Sequence, residues 1–379
     1  SVIADWPDEM ELQPRMAELA VRTMASVITP QSLPIDCVAV GESGELGMMV
    51  TTKLRPRFVL HLPKMKRSKR QAAAVLDPII KQHREGLTKD DPRPWMIDAF
   101  IAAEADGQKM DDRGVRGGAM YALIASYIYI GRLELFMWIE AVRDSQALAA
   151  LYKEVDTAFS QGSLTAQVLR KMPTLRAMFV EANRRYPLLP GMPYDTTETI
   201  KVGDYLIGPG EVILLSFVPD HFDGRHYACP WSFDQGRVRP PRNEHRAPGA
   251  YAPWGYPPRS CLAVGLAELV TMTIVANLLH KFDMTIPHKS VSVRLKTAPV
   301  IGPADGQPAR LRCRLPSERV VDPKALFDER QFVEDSEQDF ELPPLRQRSI
   351  PSGETIFSQG DVPEEFFIVV DGHVTESEV

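Results

Sequence analysis

Apolar residues recur at helical spacing along most of the first half of the chain. Residues 8–27 read as an amphipathic helix interrupted near Pro14, and residues 69–85 as another with a kink at Pro78. Between them, residues 48–52 and 58–61 look strand-like. Residues 94–105, 117–143 and 146–159 continue the helical series, and Pro173 suits the first turn of a further helix, where a proline forfeits no helical hydrogen bond. From Pro187 to Pro258 the pattern shifts to short strands and proline-rich turns. An apolar helix over 264–279 follows, and strands near 290–296 and 310–315 close the unit. The whole predicts a mainly α (α+β) architecture, a large helical domain with small β-sheets.

The one long apolar run, 121–139, contains Arg132 and Glu134, each costing roughly 3 kcal/mol at a bilayer centre. Apolar residues on nearly every face of it instead predict a helix crossing the middle of a large domain. The chain has 379 residues, 44% of them hydrophobic, which is enough for a sizeable core. A net charge of -6 gives no general reason to expect nucleic acid. Cys37, Cys229, Cys261 and Cys313 are widely scattered, arguing against a disulfide framework or zinc site and for a reducing cytoplasm. The first residues lack the basic start and apolar core of a signal peptide. His221, His226 and His245 show no metal-ligand spacing and read as turn or core residues.

The richest stretch for chemistry is Trp254-Gly-Tyr-Pro-Pro-Arg259-Ser-Cys261-Leu-Ala263, which runs straight into the 264–279 helix. A helix N-terminus offers partial positive charge and unpaired N–H groups, which suit an anionic sulfur ligand. This order of aromatic, turn, arginine, cysteine and helix resembles the haem-binding loop FxxGxRxCxG of the cytochrome P-450 family. Trp254 stands for the Phe, Pro257 for the first Gly and Ala263 for the last. Companion motifs occur in the family's order. Glu181-Ala-Asn-Arg184 is followed by Pro187; residues 202–212 resemble the hairpin GYxIPxGxxV; His221-Phe-Asp223 resembles HxD; and residues 230–237 resemble the meander PxxFxPxRF, with Gln235 replacing its second proline.

The resemblance implies a haem b with Cys261 as the iron ligand, Trp254, Arg259 and Ala263 around it, and Arg259 pairing with a propionate. It also implies that Glu181, Arg184 and Arg237 form a buried ionic cluster bracing the loop. Family members commonly carry an acid–threonine pair on the long helix, which relays protons to bound oxygen. Counting back from Trp138 places that pair at Ile130 and Gly131, an apolar distal wall, and no threonine occurs in 117–143. A shifted relay through Ser126 or Glu134, each about one turn away, is the other possibility.

Three functions stay open at this point. One is peroxide rearrangement on a hydrophobic, lipid-like substrate, such as a lipid hydroperoxide made by a fused N-terminal oxygenase. The second is O2-dependent monooxygenation fed by a redox partner. The third is a haem-binding sensor controlled by cyclic nucleotide. The basic cluster 64–70, preceded by Lys53, Arg55 and Arg57, is either a dock for a redox partner or anionic membrane surface, or a solvated loop and helix start. Peripheral membrane contact would then accompany a cytoplasmic location.

Acidic residues crowd 316–345, predicting a linker between a haem domain at 1–315 and a further unit at 346–379. In that last stretch, Gly353, Gly360 and Gly372 punctuate short alternating strands, resembling the opening of a cyclic nucleotide-binding domain, PxGxxIxxxGD. Both ends read as cut, since the family's early helices with their WxxxR element are absent and Val379 precedes the loop that would hold a cyclic phosphate.

Overall fold

A computed structural model describes residues 6–34, 36–86, 95–105, 107–216, 218–256, 260–286 and 293–322. All of them fall within one unit, Ser1–Glu329. Among the described residues, helices make up most of the domain and the strands form small antiparallel sheets.

The centre is one continuous helical rod, Asp112–Arg143, in which a π-turn at Ser126–Ile130 joins two α-helical halves. Asp111 caps its start by accepting from the Gly114 N–H at 2.7 Å. Every residue from Gly131 to Val142 is buried, so the rod crosses the core. Helix Leu12–Ile28 lies against it, as do helices Pro173–Arg185 and Val264–Lys281. The rod and the Val264–Lys281 helix are long and apolar enough to cross a membrane, and both pack within the domain. Arg132 is buried and paired with Glu45, whereas Glu134 is fully buried with no partner for either carboxylate oxygen. Desolvation raises the Glu134 pKa well above the ordinary range, which favours the neutral carboxyl.

Four sequence expectations change. The helix expected from residue 8 begins at Leu12, after a strand Glu9–Glu11, and Pro14 falls in its first turn, where it breaks nothing. Residues 48–51 end the helix Cys37–Thr51 and residues 58–61 lie in a 3-10 turn, Arg57–His61, so neither is a strand. Helix Pro63–Arg84 starts earlier than expected and continues through Pro78. Residues 316–322, expected as the start of a linker, are tied to helix Ser145–Ser160. Val320 N–H donates to Asp156 at 2.9 Å and Asp322 N–H to Thr157 Oγ1 at 2.8 Å. Residues 323–379 lie outside the described residues.

Strand Pro308–Cys313 pairs on one side with Glu9–Glu11 and on the other with Phe282–Thr285, which leaves helix Val264–Lys281 directly. The chain after that helix is thereby stitched to the start of the domain. The hairpin expected over 202–212 forms from strands Ile200–Val202 and Tyr205–Ile207, followed by Val212–Ser216 paired with Gly191–Asp195.

Candidate functional site

The helix that carries Glu181 is set by a half-buried cap. Glu154 accepts from the Thr174 and Leu175 N–H groups at 2.7 and 2.8 Å, satisfying donors that Pro173 at the helix start leaves open. Glu181 and Arg184 then share a face one turn apart. Arg184 Nε and Nη2 donate to the two Glu181 oxygens, each at 2.8 Å. Arg237, on the meander, brings its Nε to 3.3 Å from Glu181 Oε1.

Backbone carbonyls take up most of the remaining guanidinium donors. Arg184 donates to His221 O and Pro230 O, both at 2.7 Å, and Arg237 donates to Cys229 O at 2.7 Å and to Ala228 O. Asp234 N–H completes the set by donating to Glu181 at 2.9 Å. All three side chains are at most 2% exposed. Residues 221–237 are thus wrapped around two arginines, and the structure brings Glu181, Arg184 and Arg237 together. It also adds Glu244, bonded to Arg237 Nη1 at 2.9 Å, which the motif comparison missed. The Arg242-x-Glu244 spacing was its available signal.

The cysteine loop leans on the same helix. Trp254 stacks at 6.3 Å on Phe179, two residues before Glu181. Cys261 N–H donates to Trp254 O at 2.8 Å, closing the loop. Gly255 sits at φ +76°, a conformation that a side chain would strain. Cys261 and Ala263 are exposed at the mouth of helix Val264–Lys281, and Ala263 O accepts the Ala267 N–H at 2.7 Å. Arg259 and Pro257 lie outside the described residues.

Two tyrosines of the central rod lie near the thiol. Burial raises the Tyr121 and Tyr129 phenol pKa values, and Cys261 lies close enough to add to the rise in both. Ile130 is buried in the core, and a side chain at Gly131 would lie 2.6 Å from Ala17 Cα, so that face backs onto helix Leu12–Ile28. The π-turn Ser126–Ile130 immediately precedes Gly131 and breaks the regular helical phase of the rod. Tyr121 and Tyr129, two turns apart, were the legible signal. The Ser126 hydroxyl donates to Ala122 O at 2.8 Å.

These residues fit a flat, apolar metallocyclic group held by one sulfur. The thiol is exposed, Leu262 beside it is fully exposed, and the first turns of helix Val264–Lys281 are only partly buried. Among the described residues no cluster of three His, Cys, Asp or Glu side chains could hold a metal by itself.

An α-rich domain whose core helix starts at a lone cysteine, beside a buried Glu-Arg-Arg cluster, defines a class of haem-thiolate proteins. The family model for cytochrome P450 matches residues 42–304. The chain belongs to the cytochrome P450 family, which implies a cysteine-ligated haem iron. It is 29% identical over 203 residues to human mitochondrial 25-hydroxyvitamin D-1 alpha hydroxylase, covering 52% of this chain and 39% of that protein. It is 25% identical over 207 residues to the self-sufficient cytochrome P450 monooxygenase CYP505AG1 of Oidiodendron maius (strain Zn), covering 52% of this chain and 19% of that protein. The chain therefore spans about two fifths or less of these relatives' lengths. Retinoic acid-bound cyanobacterial CYP120A1 shares the fold, with a TM-score of 0.69 at 20% identity over 83% of this chain and 72% of that one.

Proposed function

We propose that this chain works as a haem-thiolate oxidoreductase with Cys261 as the iron ligand, acting on an apolar small molecule bound beside the Tyr121 face of the central rod. The observation that carries the reading is the exposed Cys261 thiol at a core-helix N-terminus, with Tyr121 and Tyr129 nearby. When bound, the haem supplies redox chemistry, with the thiolate sulfur pushing electron density that favours O–O cleavage. Trp254 would back the loop and Ala263 would allow close approach at the helix start, while Glu181, Arg184 and Arg237 hold the segment that leads into it. Arg259 is assigned to a propionate by family resemblance, because a guanidinium matches a carboxylate.

For the oxidant we favour a preformed peroxide, such as a lipid hydroperoxide. Its rearrangement keeps both oxygens in the product and requires no external electrons. Support comes from the groups available to move protons. The 112–143 rod contains no threonine, the Ser126 hydroxyl is bonded to its own helix, and Glu134 is sealed in the core. Tyr121 and Tyr129 remain near Cys261, and their raised pKa values make them weak proton donors. Such a site is poorly equipped to protonate bound dioxygen.

The second reading, O2-dependent monooxygenation with a redox partner, is favoured by the relatives named as hydroxylase and monooxygenase. Incubating haem-loaded protein with a fatty-acid hydroperoxide, and separately with the parent acid, a reductase and labelled O2, distinguishes the two. Turnover of hydroperoxide alone supports the first reading. Labelled product only in the second mixture supports monooxygenation. The cyclic nucleotide segment 346–379 lies outside the described residues, and no observation among the described residues favours the sensor reading.

A further inference from the structure

Arg132 is only 3% exposed, yet its Nη1 has no hydrogen-bond partner among the described residues. Its Nη2 donates to Glu45 Oε1 of helix Cys37–Thr51, and Glu45 Oε2 accepts in turn from Lys296 Nζ at 3.3 Å. Lys296 lies on strand Leu295–Lys296, directly across from Gly302 in the paired strand Gly302–Pro303. A Cβ at Gly302 would stand 2.9 Å from Arg132 Cδ and Nε, so the glycine makes room for the guanidinium. Rod, helix and hairpin thus converge on two cations and one carboxylate. The charges beside them are already matched, Glu42 by Lys64 and Arg294 by Asp305, and burial favours the neutral form of Glu134. The cluster keeps one unit of excess positive charge and one buried, unused N–H donor. It also lies toward the cysteine site. Tyr129, three residues before Arg132, is within electrostatic reach of both Cys261 and Arg132. The Tyr129 hydroxyl meets Met48 Sδ at 3.7 Å, three residues beyond Glu45 on the facing helix.

We propose that Arg132 anchors the substrate by its acid group: the carboxylate of a long-chain carboxylic acid accepts from Nη1, Lys296 adds positive charge, and the apolar chain runs past Tyr129 toward Cys261. The assignment rests on the haem-thiolate reading above and adds to it the chemical class of the substrate. A buried polar group left without a partner carries a desolvation penalty, which an incoming acceptor relieves. An anion does more than a neutral acceptor, because it also offsets the excess charge where little water screens it. Tyr129 and Met48 offer the chain a largely apolar path between the cation and the thiol, so one charged end and one apolar body suit the site.

The test is isothermal titration calorimetry of the haem-loaded chain with oleate below its micelle concentration, with methyl oleate and with acetate, after the CO-bound ferrous spectrum has been recorded on the same sample. The expected result is oleate binding about tenfold or more tighter than its methyl ester, with no measurable binding of acetate. Arg132→Gln should remove that preference, weakening oleate about tenfold while methyl oleate changes less than about twofold. Lys296→Gln, at a partly exposed position, should weaken oleate by about two- to threefold. Circular dichroism melting and haem content check that the variants fold, and should Arg132→Gln fail to fold, the acid-to-ester ratio of the parent chain and Lys296→Gln decide. The inference is overturned by no binding of oleate, by equal binding of acid and ester, by acetate binding as tightly as oleate, or by an unchanged acid-to-ester ratio in folded Arg132→Gln. A thiolate band with no preference for the acid overturns this inference alone. Absence of the thiolate band overturns the haem-thiolate reading, and the inference falls with it.

Discussion

Arg184 grips Glu181 through two parallel hydrogen bonds of 2.8 Å, with both side chains 1% exposed. Such a fork has direction as well as strength, and it frees Arg184 Nη1 to hold the His221 and Pro230 carbonyls. Removing one member would leave Glu181 facing Arg237 across a cavity and would release two backbone carbonyls. Arg184→Ala should therefore lower stability by about 3–5 kcal/mol, measured by denaturant unfolding. A loss under about 1 kcal/mol, the range of exposed pairs, would contradict a buried brace.

His221 should make the domain acid-sensitive. Its Nε2 accepts the Ala252 N–H at 3.0 Å, so the ring must be neutral to keep that bond. Burial, with Arg184 adding repulsion, lowers its pKa from 6.5 to about 4. The unfolded chain takes up this proton near pH 6.5 and the folded chain only near pH 4. Stability present above about pH 6.5 is therefore lost as pH falls toward 4, by about 3 kcal/mol from this group. Unfolding measured across that window should show a flatter pH dependence in His221→Gln. An unchanged slope would assign the acid sensitivity elsewhere.

Gly131 should tolerate no side chain, for a packing reason. An added Cβ would meet the Ala17 backbone, which cannot move aside as a side-chain tip can. Gly131→Val is expected to cost about 1–3 kcal/mol in thermal or chemical unfolding. Unaltered stability would show that this face of the rod is open.

The tail after strand Pro308–Cys313 should loosen when Asp156 is changed. Asp156 accepts from Arg314 at 3.0 and 2.7 Å and from Val320 N–H at 2.9 Å, all from inside the domain. In Asp156→Asn, trypsin should cut after Arg319 faster than in the parent chain, read by mass spectrometry of early fragments. Equal cleavage rates would mean the tail is held by other contacts.

Much of this site was legible because its signals are local. The loop 254–263, the Glu181 and Arg184 spacing and the apolar helix beginning at Val264 each occupy a few consecutive residues. The errors arose where distant packing overrides local pattern. Helix Cys37–Thr51 contains Gly41, Gly44 and Gly47, residues of low intrinsic helix propensity. In the fold, a side chain at Gly41 or Gly44 would collide with Tyr127 or Ile124 of the central rod, so at these positions the small residues permit close helix packing. The π-turn is likewise a tertiary feature: nothing in Ser126-Tyr-Ile-Tyr-Ile130 announces it.

The most direct measurement of the central claim is the absorption spectrum of the CO-bound ferrous protein, before and after Cys261→Ala, with haem content determined on the same samples. The account predicts a thiolate-specific band in the parent chain and its loss in the variant, while Cys229→Ala and Cys313→Ala keep it. Retention of the thiolate band in haem-loaded Cys261→Ala would contradict the assignment of Cys261 as the iron ligand.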